Sequence, residues 1–215
     1  QTYGIEPSAR PVRDAFTRLW QTLHHIRQER HVFVFLAAYF FYIDGVGTII
    51  SMSTAYGRDL GFGVVMLIAV LLFIQVVAFP FALVFGKLAQ RYRTKPVLLA
   101  GIGMFSLATL IGFSLPSVEN SGVKSVLFWL IAFLVASSMG GIQALSRSYY
   151  ARLIPAEKSA EYFGFYNVFG KFAAITGPFL MGVVGHLTGD TRWGVLSILL
   201  LFLIGGWILH KLPER

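Results

Sequence analysis

The sequence predicts an all-α membrane protein that crosses the bilayer six times. The chain is 56% hydrophobic and only 13% charged, whereas soluble domains carry roughly 25% charged residues. Its apolar residues form six long, nearly charge-free segments, and a helix needs about 20 such residues to cross a bilayer. Because these segments are continuous rather than ten-residue stretches of alternating polarity, they favour helices over a β-barrel.

The first element, residues 1–31, is predicted to be a cytoplasmic linker that contains an amphipathic helix. Apolar side chains recur at helical spacing within residues 11–30, at Phe16, Leu19, Trp20, Leu23 and Ile26. Such a helix can lie in the membrane interface, where its Arg residues are attracted to anionic lipid. The alternative is an exposed connector that only tethers. The chain starts at Gln1 and shows no signal peptide, so we expect it to begin inside a longer protein.

Residues 32–212 are predicted to form the six-helix transmembrane domain. The spans lie approximately at residues 32–57, 62–86, 96–116, 125–147, 162–187 and 193–210. Each is long enough, or nearly so, to cross the ~30 Å hydrocarbon core. Only two charged residues fall well inside a span, Asp44 in the first and Lys171 in the fifth.

The distribution of Lys and Arg predicts the orientation. The N-terminal stretch, the loop between the second and third spans, the loop between the fourth and fifth spans, and the C-terminal tail hold most of these residues. The three loops on the opposite side hold only Arg58, Lys124 and Arg192. By the positive-inside rule, both termini of this integral membrane protein are expected in the cytoplasm.

The charges inside the spans are the leading candidates for function. At 1.5 Å per residue, Asp44 lies ~18 Å and Lys171 ~14 Å along its span, so both are near the midplane. Opposite charges at similar depth suggest an ion pair or two charges that face one aqueous cavity. Thr48 shares a helix face with Asp44, and Asn167 shares one with Lys171. Intramembrane charges are expensive and often functional, so these residues are predicted to bind a substrate or a coupling proton. The alternative is a structural ion pair between the first and fifth spans.

Two amides inside the spans are weaker candidates for substrate or ion binding. Gln75 lies in the middle of the second span and Gln143 in the fourth. Amides in membrane helices commonly form hydrogen bonds between helices, so each is predicted either to stabilise packing or to reach a cavity.

Several classes of protein are not expected. The chain has no Cys, no HExxH, GxSxG or GxxxxGK[ST] motif, and no cluster of carboxylates that offers metal ligands or an acid–base pair. We therefore predict no enzyme activity, no metal and no cofactor. The net charge of +8 is assigned to the cytoplasmic loops of a membrane protein rather than to a nucleic-acid interface.

Two motifs resemble a known family. The loop from Gly86 to Lys95 resembles the signature loop of the major facilitator superfamily, with Gln90 where the family usually has Asp and Arg93 where it often has Gly. The segments Gly140-Gly-Ile-Gln-Ala-Leu-Ser-Arg-Ser-Tyr-Tyr-Ala-Arg-Leu-Ile-Pro and Ser159-Ala-Glu-Tyr-Phe-Gly-Phe-Tyr-Asn-Val-Phe-Gly-Lys, followed by Gly177-Pro178, resemble its vacuole-effluxer-like branch. Tyr42-Ile-Asp-Gly in the first span is similar to the same branch.

The resemblance implies the C-terminal half of a twelve-helix transporter, built as two inverted three-helix repeats, with its substrate site between the halves. The implied function is secondary active transport of a small solute, with amino acids as candidates, by alternating access. The implied partners are the missing N-terminal six-helix half, membrane lipid and the small-molecule substrate. The implied cytoplasmic gate loops contain Gly86, Arg91, Lys95, Arg147, Arg152 and Glu161. The alternative is a membrane scaffold that does not transport.

Overall fold

The computed structural model describes residues 29–213, and each of the six predicted spans corresponds to one long apolar helix in it. The helices are α1 Arg30–Asp59, α2 Val64–Tyr92, α3 Thr94–Ser114, α4 Ser121–Leu153, α5 Ser159–Thr188 and α6 Thr191–Lys211. Single turns of 3₁₀ helix, Leu115–Ser117 and Ala156–Lys158, follow α3 and precede α5. The described residues contain no β-strand. The amphipathic helix predicted within residues 11–30 lies outside the described residues, apart from its last two positions.

The helices extend beyond the charge-free segments that revealed them. The helix α2 continues through Lys87 and Arg91 to Tyr92, and α4 contains 33 residues. At 1.5 Å per residue α4 is about 50 Å long, which exceeds the ~30 Å hydrocarbon core. Charged residues therefore indicate where a helix leaves the hydrocarbon. The end of the helix itself is set by local features of the sequence, such as capping residues. The carboxylate of Asp190, for example, accepts a hydrogen bond from the backbone N–H of Arg192 and so caps α6.

The six helices form two sets of three, α1–α3 and α4–α6, and the first helix of each set packs mainly against helices of the other set. In the first set, α1 packs mainly against α5 and α6 of the second set. In the second set, α4 packs mainly against α2 and α3 of the first. The third helices of the two sets, α3 and α6, contact each other. This reciprocal packing is expected of two inverted three-helix repeats, and it confirms the predicted fold class.

Glycine residues allow α1 and α4 to pack closely against the helices of the other set. A Cβ atom on Gly205 of α6 would lie 2.8 Å from the backbone nitrogen of Tyr42 and 3.0 Å from the carbonyl oxygen of Ala38 in α1. Where α4 packs on α2, the ring of Phe85 in α2 fills the space that a side chain at Gly141 of α4 would occupy. Close backbone approach replaces the missing hydrophobic effect as the source of packing energy within a membrane.

Because successive helices cross in opposite directions, the loops divide between two ends of the bundle. We call the end that carries the start of α1, the α2–α3 and α4–α5 connections and the end of α6 the basic end. It carries Arg91, Arg93, Lys95, Arg152 and Lys211.

Candidate functional site

The buried carboxyl group of Asp44 lies between α1 and α5. The residue is 0% exposed, and its Oδ1 accepts a hydrogen bond of 2.8 Å from the backbone N–H of Gly177 in α5. Its Oδ2 is also buried, and no other described residue forms a hydrogen bond with it. Thr48, one turn further along α1, donates its hydroxyl to the backbone carbonyl of Asp44 over 2.7 Å and is also 0% exposed. One carboxyl oxygen is thus held by a neighbouring helix, and the other is buried without a partner in the described part of the chain.

The local sequence of α5 makes this contact possible. A Cβ atom at Gly177 would overlap the hydroxyl oxygen of Thr48 and lie 2.8 Å from Oδ1 of Asp44. The next residue, Pro178, lies inside the helix and has no N–H, so the carbonyl of Ala174 lacks its usual helical hydrogen bond. The Gly-Pro step therefore brings α1 and α5 close together and weakens α5 at the level of the carboxyl group.

The structure does not bring Asp44 and Lys171 together. Among residues 29–213 no ion pair joins them, and Lys171 is exposed. Gly177 follows Lys171 by six residues, and at about 100° per residue it is rotated by about 240° around the helix axis. Asp44 contacts the buried face of α5, whereas Lys171 lies on the open face. The alternative of a structural ion pair between the first and fifth spans is thus not found among the described residues.

Most of the other polar residues predicted for the site also lie on open faces. Asn167 is exposed one turn before Lys171 on α5, and Gln143 is exposed on α4. Gln75 of α2 is exposed and lines a cavity of about 220 Å³ between α1, α2 and α4, whose walls are apolar except for Gln75 and Ser53. The structure therefore divides the predicted residues into two sets. Asp44 and Thr48 are buried, whereas the exposed polar group consists of the side chains of Gln75, Gln143, Asn167 and Lys171.

An aromatic cluster that the sequence analysis missed lies between Asp44 and the basic end. The Tyr42 hydroxyl and Ser146 Oγ of α4 are 2.7 Å apart and buried. Tyr39 stacks on Tyr166 of α5 with ring centroids 4.2 Å apart, and the Tyr150 hydroxyl donates to the carbonyl of Tyr162 over 3.0 Å. The helical spacing of Tyr39 and Tyr42 was the available signal. The cluster joins α1, α4 and α5 next to the buried carboxyl group.

The predicted gate residues lie at the basic end, where they have different environments. Arg91, Arg147, Arg152 and Glu161 are exposed and Gly86 is half-buried. The Lys95 ammonium donates to the carbonyls of His210 over 2.7 Å and Leu212 over 2.6 Å, so it caps the end of α6.

Arg93 connects α2 to α3 with φ +69° and ψ 160°, a conformation that is essentially restricted to glycine. It occupies the position at which the resembled signature often has Gly. Arg93 thus adopts a backbone conformation that glycine takes without strain.

The packing of the helices and the buried acid define the class of protein to which this chain belongs. Two interlocked sets of three spanning helices form a multi-pass membrane protein built like half of a major-facilitator transporter. Within the part that the structure describes, no group of three His, Asp or Glu residues could hold a metal ion.

Comparison with known proteins identifies the family. The family described as vacuole effluxer Atg22 like matches residues 4–214, and the chain belongs to this family. The uncharacterized MFS-type transporter YxiO of Bacillus subtilis is 49% identical over 215 residues, which cover 100% of this chain and 49% of that protein. Autophagy-related protein 22 of Kluyveromyces lactis is 27% identical over 199 residues, which cover 90% of this chain and 40% of that protein.

A second fungal relative extends the comparison. Autophagy-related protein 22 of Botryotinia fuckeliana is 26% identical over 197 residues, covering 86% of this chain and 33% of that protein. The chain spans about half the length of the bacterial relative and less of the fungal ones. The family is described as vacuole effluxers, and the bacterial relative is named as an MFS-type transporter.

Proposed function

We propose that this chain is the C-terminal half of a secondary active transporter that moves a small solute by alternating access. The buried carboxyl group of Asp44 carries the proposal. It lies near the middle of a spanning helix, with Oδ1 held by Gly177 of another helix and Oδ2 without a partner among the described residues. Acids placed in this way are costly to retain and mark ion or proton pathways.

Proton binding at Asp44 supplies the coupling step. A proton on Oδ2 removes the charge, so the neutral carboxyl group is compatible with the buried α1–α5 contact. Loss of that proton leaves a buried anion with a single hydrogen bond, which is expensive in a medium of low polarity. The anion therefore favours a second packing in which the carboxylate reaches water, and α5 can bend at Pro178 to reach it.

The exposed polar group supplies the solute site. Lys171 and Asn167 of α5, Gln143 of α4 and Gln75 of α2 offer one cation and three amides on open faces of this half. The missing N-terminal half is proposed to cover these faces. An ammonium group and amides recognise a carboxylate, and the apolar cavity beside Gln75 suits an apolar side chain. We therefore propose amino acids as the solute class, and export as the direction because the family is described as effluxers.

The proposal places both termini in the cytoplasm, with the basic end on that side. The chain has no Cys, so single cysteines can report the orientation. A cysteine replacing Lys87 should react with a membrane-impermeant maleimide only after cells are opened, whereas one replacing Lys124 should react in intact cells. The reverse pattern would show that the orientation is wrong.

Transport by the full-length protein tests the function. Purified protein in liposomes is expected to move at least one amino acid of a panel, and faster with a pH gradient than without. Lys171→Met should lower the initial rate by about tenfold or more, because it removes the charge that faces the solute carboxylate. Lys124→Met, which removes a charge at a helix end, should leave the rate unchanged. Failure to move any solute would favour the membrane scaffold.

A further inference from the structure

A cleft at the basic end contains an unusual concentration of positive charge. It has a volume of about 560 Å³ and lies between the α2–α3 junction and the last turn of α4. Its basic lining residues are Arg91, Arg93, Lys95 and Arg152, and its lining contains no acidic side chain. The Lys95 ammonium is already bound to the end of α6. Arg91 and Arg152 are exposed, so their guanidinium groups can reach a ligand in the cleft.

A buried hydroxyl group lies in the wall of the same cleft. Thr94 lines the cleft, yet the residue is only 2% exposed. Its hydroxyl is buried, and none of residues 29–213 forms a hydrogen bond with it. A buried polar group without a partner is costly and calls for a ligand that supplies the missing hydrogen bond. A threonine hydroxyl can donate to an anionic oxygen.

The backbone at this point also favours an anion. Thr94 is the first residue of α3, a helix of 21 residues that has no side-chain cap at its N-terminus and no acidic residue in its first turn. The first N–H groups of a helix have no partner within the helix, and together with the helix dipole they attract negative charge. Thr94, the first residue of α3, and the two arginines thus line one cleft.

We propose that this cleft binds a phosphate ester, held by the hydroxyl of Thr94 and by the guanidinium groups of Arg91 and Arg152. Arginine binds phosphate oxygens through paired, charge-assisted hydrogen bonds. The cleft lies where α2 and α4 have passed beyond the charge-free part of their spans, and charged ends of spanning helices are expected at the level of the lipid headgroups. Two sources of the ligand share this chemistry: the headgroup of an anionic phospholipid and a soluble phosphate ester. The site does not depend on the transport proposal.

Native mass spectrometry of the full-length protein with dioleoylphosphatidylglycerol tests the site. The double variant Arg91→Gln/Arg152→Gln is expected to bind this lipid about tenfold more weakly than the wild type. Thr94→Val, which keeps the shape and removes the hydroxyl, should weaken binding about threefold, and Thr94→Ser should restore it. The matched control Lys87→Gln/Lys158→Gln removes two charges at the same end but outside the cleft lining, and it should bind like the wild type.

Glycerol 3-phosphate distinguishes the two sources. If it displaces the lipid from the wild type, or binds alone with the same dependence on Arg91, Arg152 and Thr94, the cleft takes a soluble phosphate ester. If it does neither while the lipid shows that dependence, the ligand is a headgroup. The proposal is wrong if the cleft variants bind both probes as the wild type does, or if the control pair loses as much affinity as the cleft pair. Gel filtration and the Thr94→Ser variant separate these outcomes from misfolding.

Discussion

Oδ1 of Asp44 accepts a hydrogen bond of 2.8 Å from the backbone N–H of Gly177, and this bond joins the middle of α1 to the middle of α5. The other carboxyl oxygen has no hydrogen-bond partner in the described part of the chain. Since Pro178 follows directly, the bond lies where α5 lacks one of its own hydrogen bonds. The carboxyl group of Asp44 therefore forms a direct polar contact between α1 and α5.

Gly177→Ala should destabilise the protein by roughly 1–3 kcal/mol, because the added methyl group overlaps Thr48 and presses on Asp44. Gly182→Ala is the matched control on the same helix, since a Cβ there meets no atom within 4 Å. That control should be neutral or slightly stabilising. Thermal unfolding of both variants, followed by tryptophan fluorescence, checks this. Equal melting temperatures would mean that α1 and α5 are not closely packed at Gly177.

The hydrogen bond between Tyr42 and Ser146 should appear as a coupling energy. Ser146 Oγ also donates to the carbonyl of Ile142 over 2.6 Å, so the Tyr42 hydroxyl is the donor to Ser146. A double-mutant cycle with Tyr42→Phe and Ser146→Ala should give about 0.6 kcal/mol, within the range measured between membrane helices. The exposed Tyr92→Phe should show no coupling to Ser146→Ala. Additive effects of Tyr42→Phe and Ser146→Ala on reversible unfolding would refute the bond.

Arg93→Gly should stabilise the α2–α3 junction relative to Arg93→Ala. Both variants remove the side chain, but only glycine adopts φ +69° and ψ 160° without strain, which is worth about 1–3 kcal/mol. The glycine variant should therefore unfold at the higher temperature. If alanine is as stable as glycine, the junction does not have this backbone conformation.

Lys95→Met should loosen the end of α6. The change removes two charge-assisted hydrogen bonds to the carbonyls of His210 and Leu212. These bonds are partly exposed, so their loss should cost about 1 kcal/mol locally. Hydrogen exchange of residues 206–212 should accelerate in this variant and stay unchanged in Lys87→Met. Unchanged exchange in both variants would show that Lys95 does not cap the helix.

Hydropathy predicted six spans because each must supply an apolar surface of fixed length to the bilayer. It placed the end of α2 near Gly86, whereas the helix continues to Tyr92, because a helix outside the hydrocarbon tolerates charge. The signature loop and the motifs of the fourth and fifth spans identified the family correctly. The positive φ of Arg93 was not predicted, because the sequence comparison registers a changed residue there and carries no information on its backbone angles.

The relation between Asp44 and Lys171 was not predictable in the same way. Helical rise gives only an approximate depth: in the structure Asp44 lies at the level of Gly177, six residues or ~9 Å along α5 from Lys171. A contact also requires that the side chains face each other, and this depends on how two helices are rotated and packed. The pairing of Asp44 with Gly177 depends on the absence of a side chain and on a backbone N–H, neither of which produces a signal in charge or periodicity.

The initial rate of amino-acid transport by the Asp44→Asn variant, measured in proteoliposomes with and without a pH gradient, tests the central claim most directly. Asparagine keeps the size of the side chain and its acceptor for Gly177 but cannot exchange a proton. We predict a folded variant whose rate no longer responds to the gradient and falls by about tenfold or more. Asp59→Asn, at the exposed end of α1, should respond like the wild type. A gradient response in Asp44→Asn equal to that of the wild type would contradict the account.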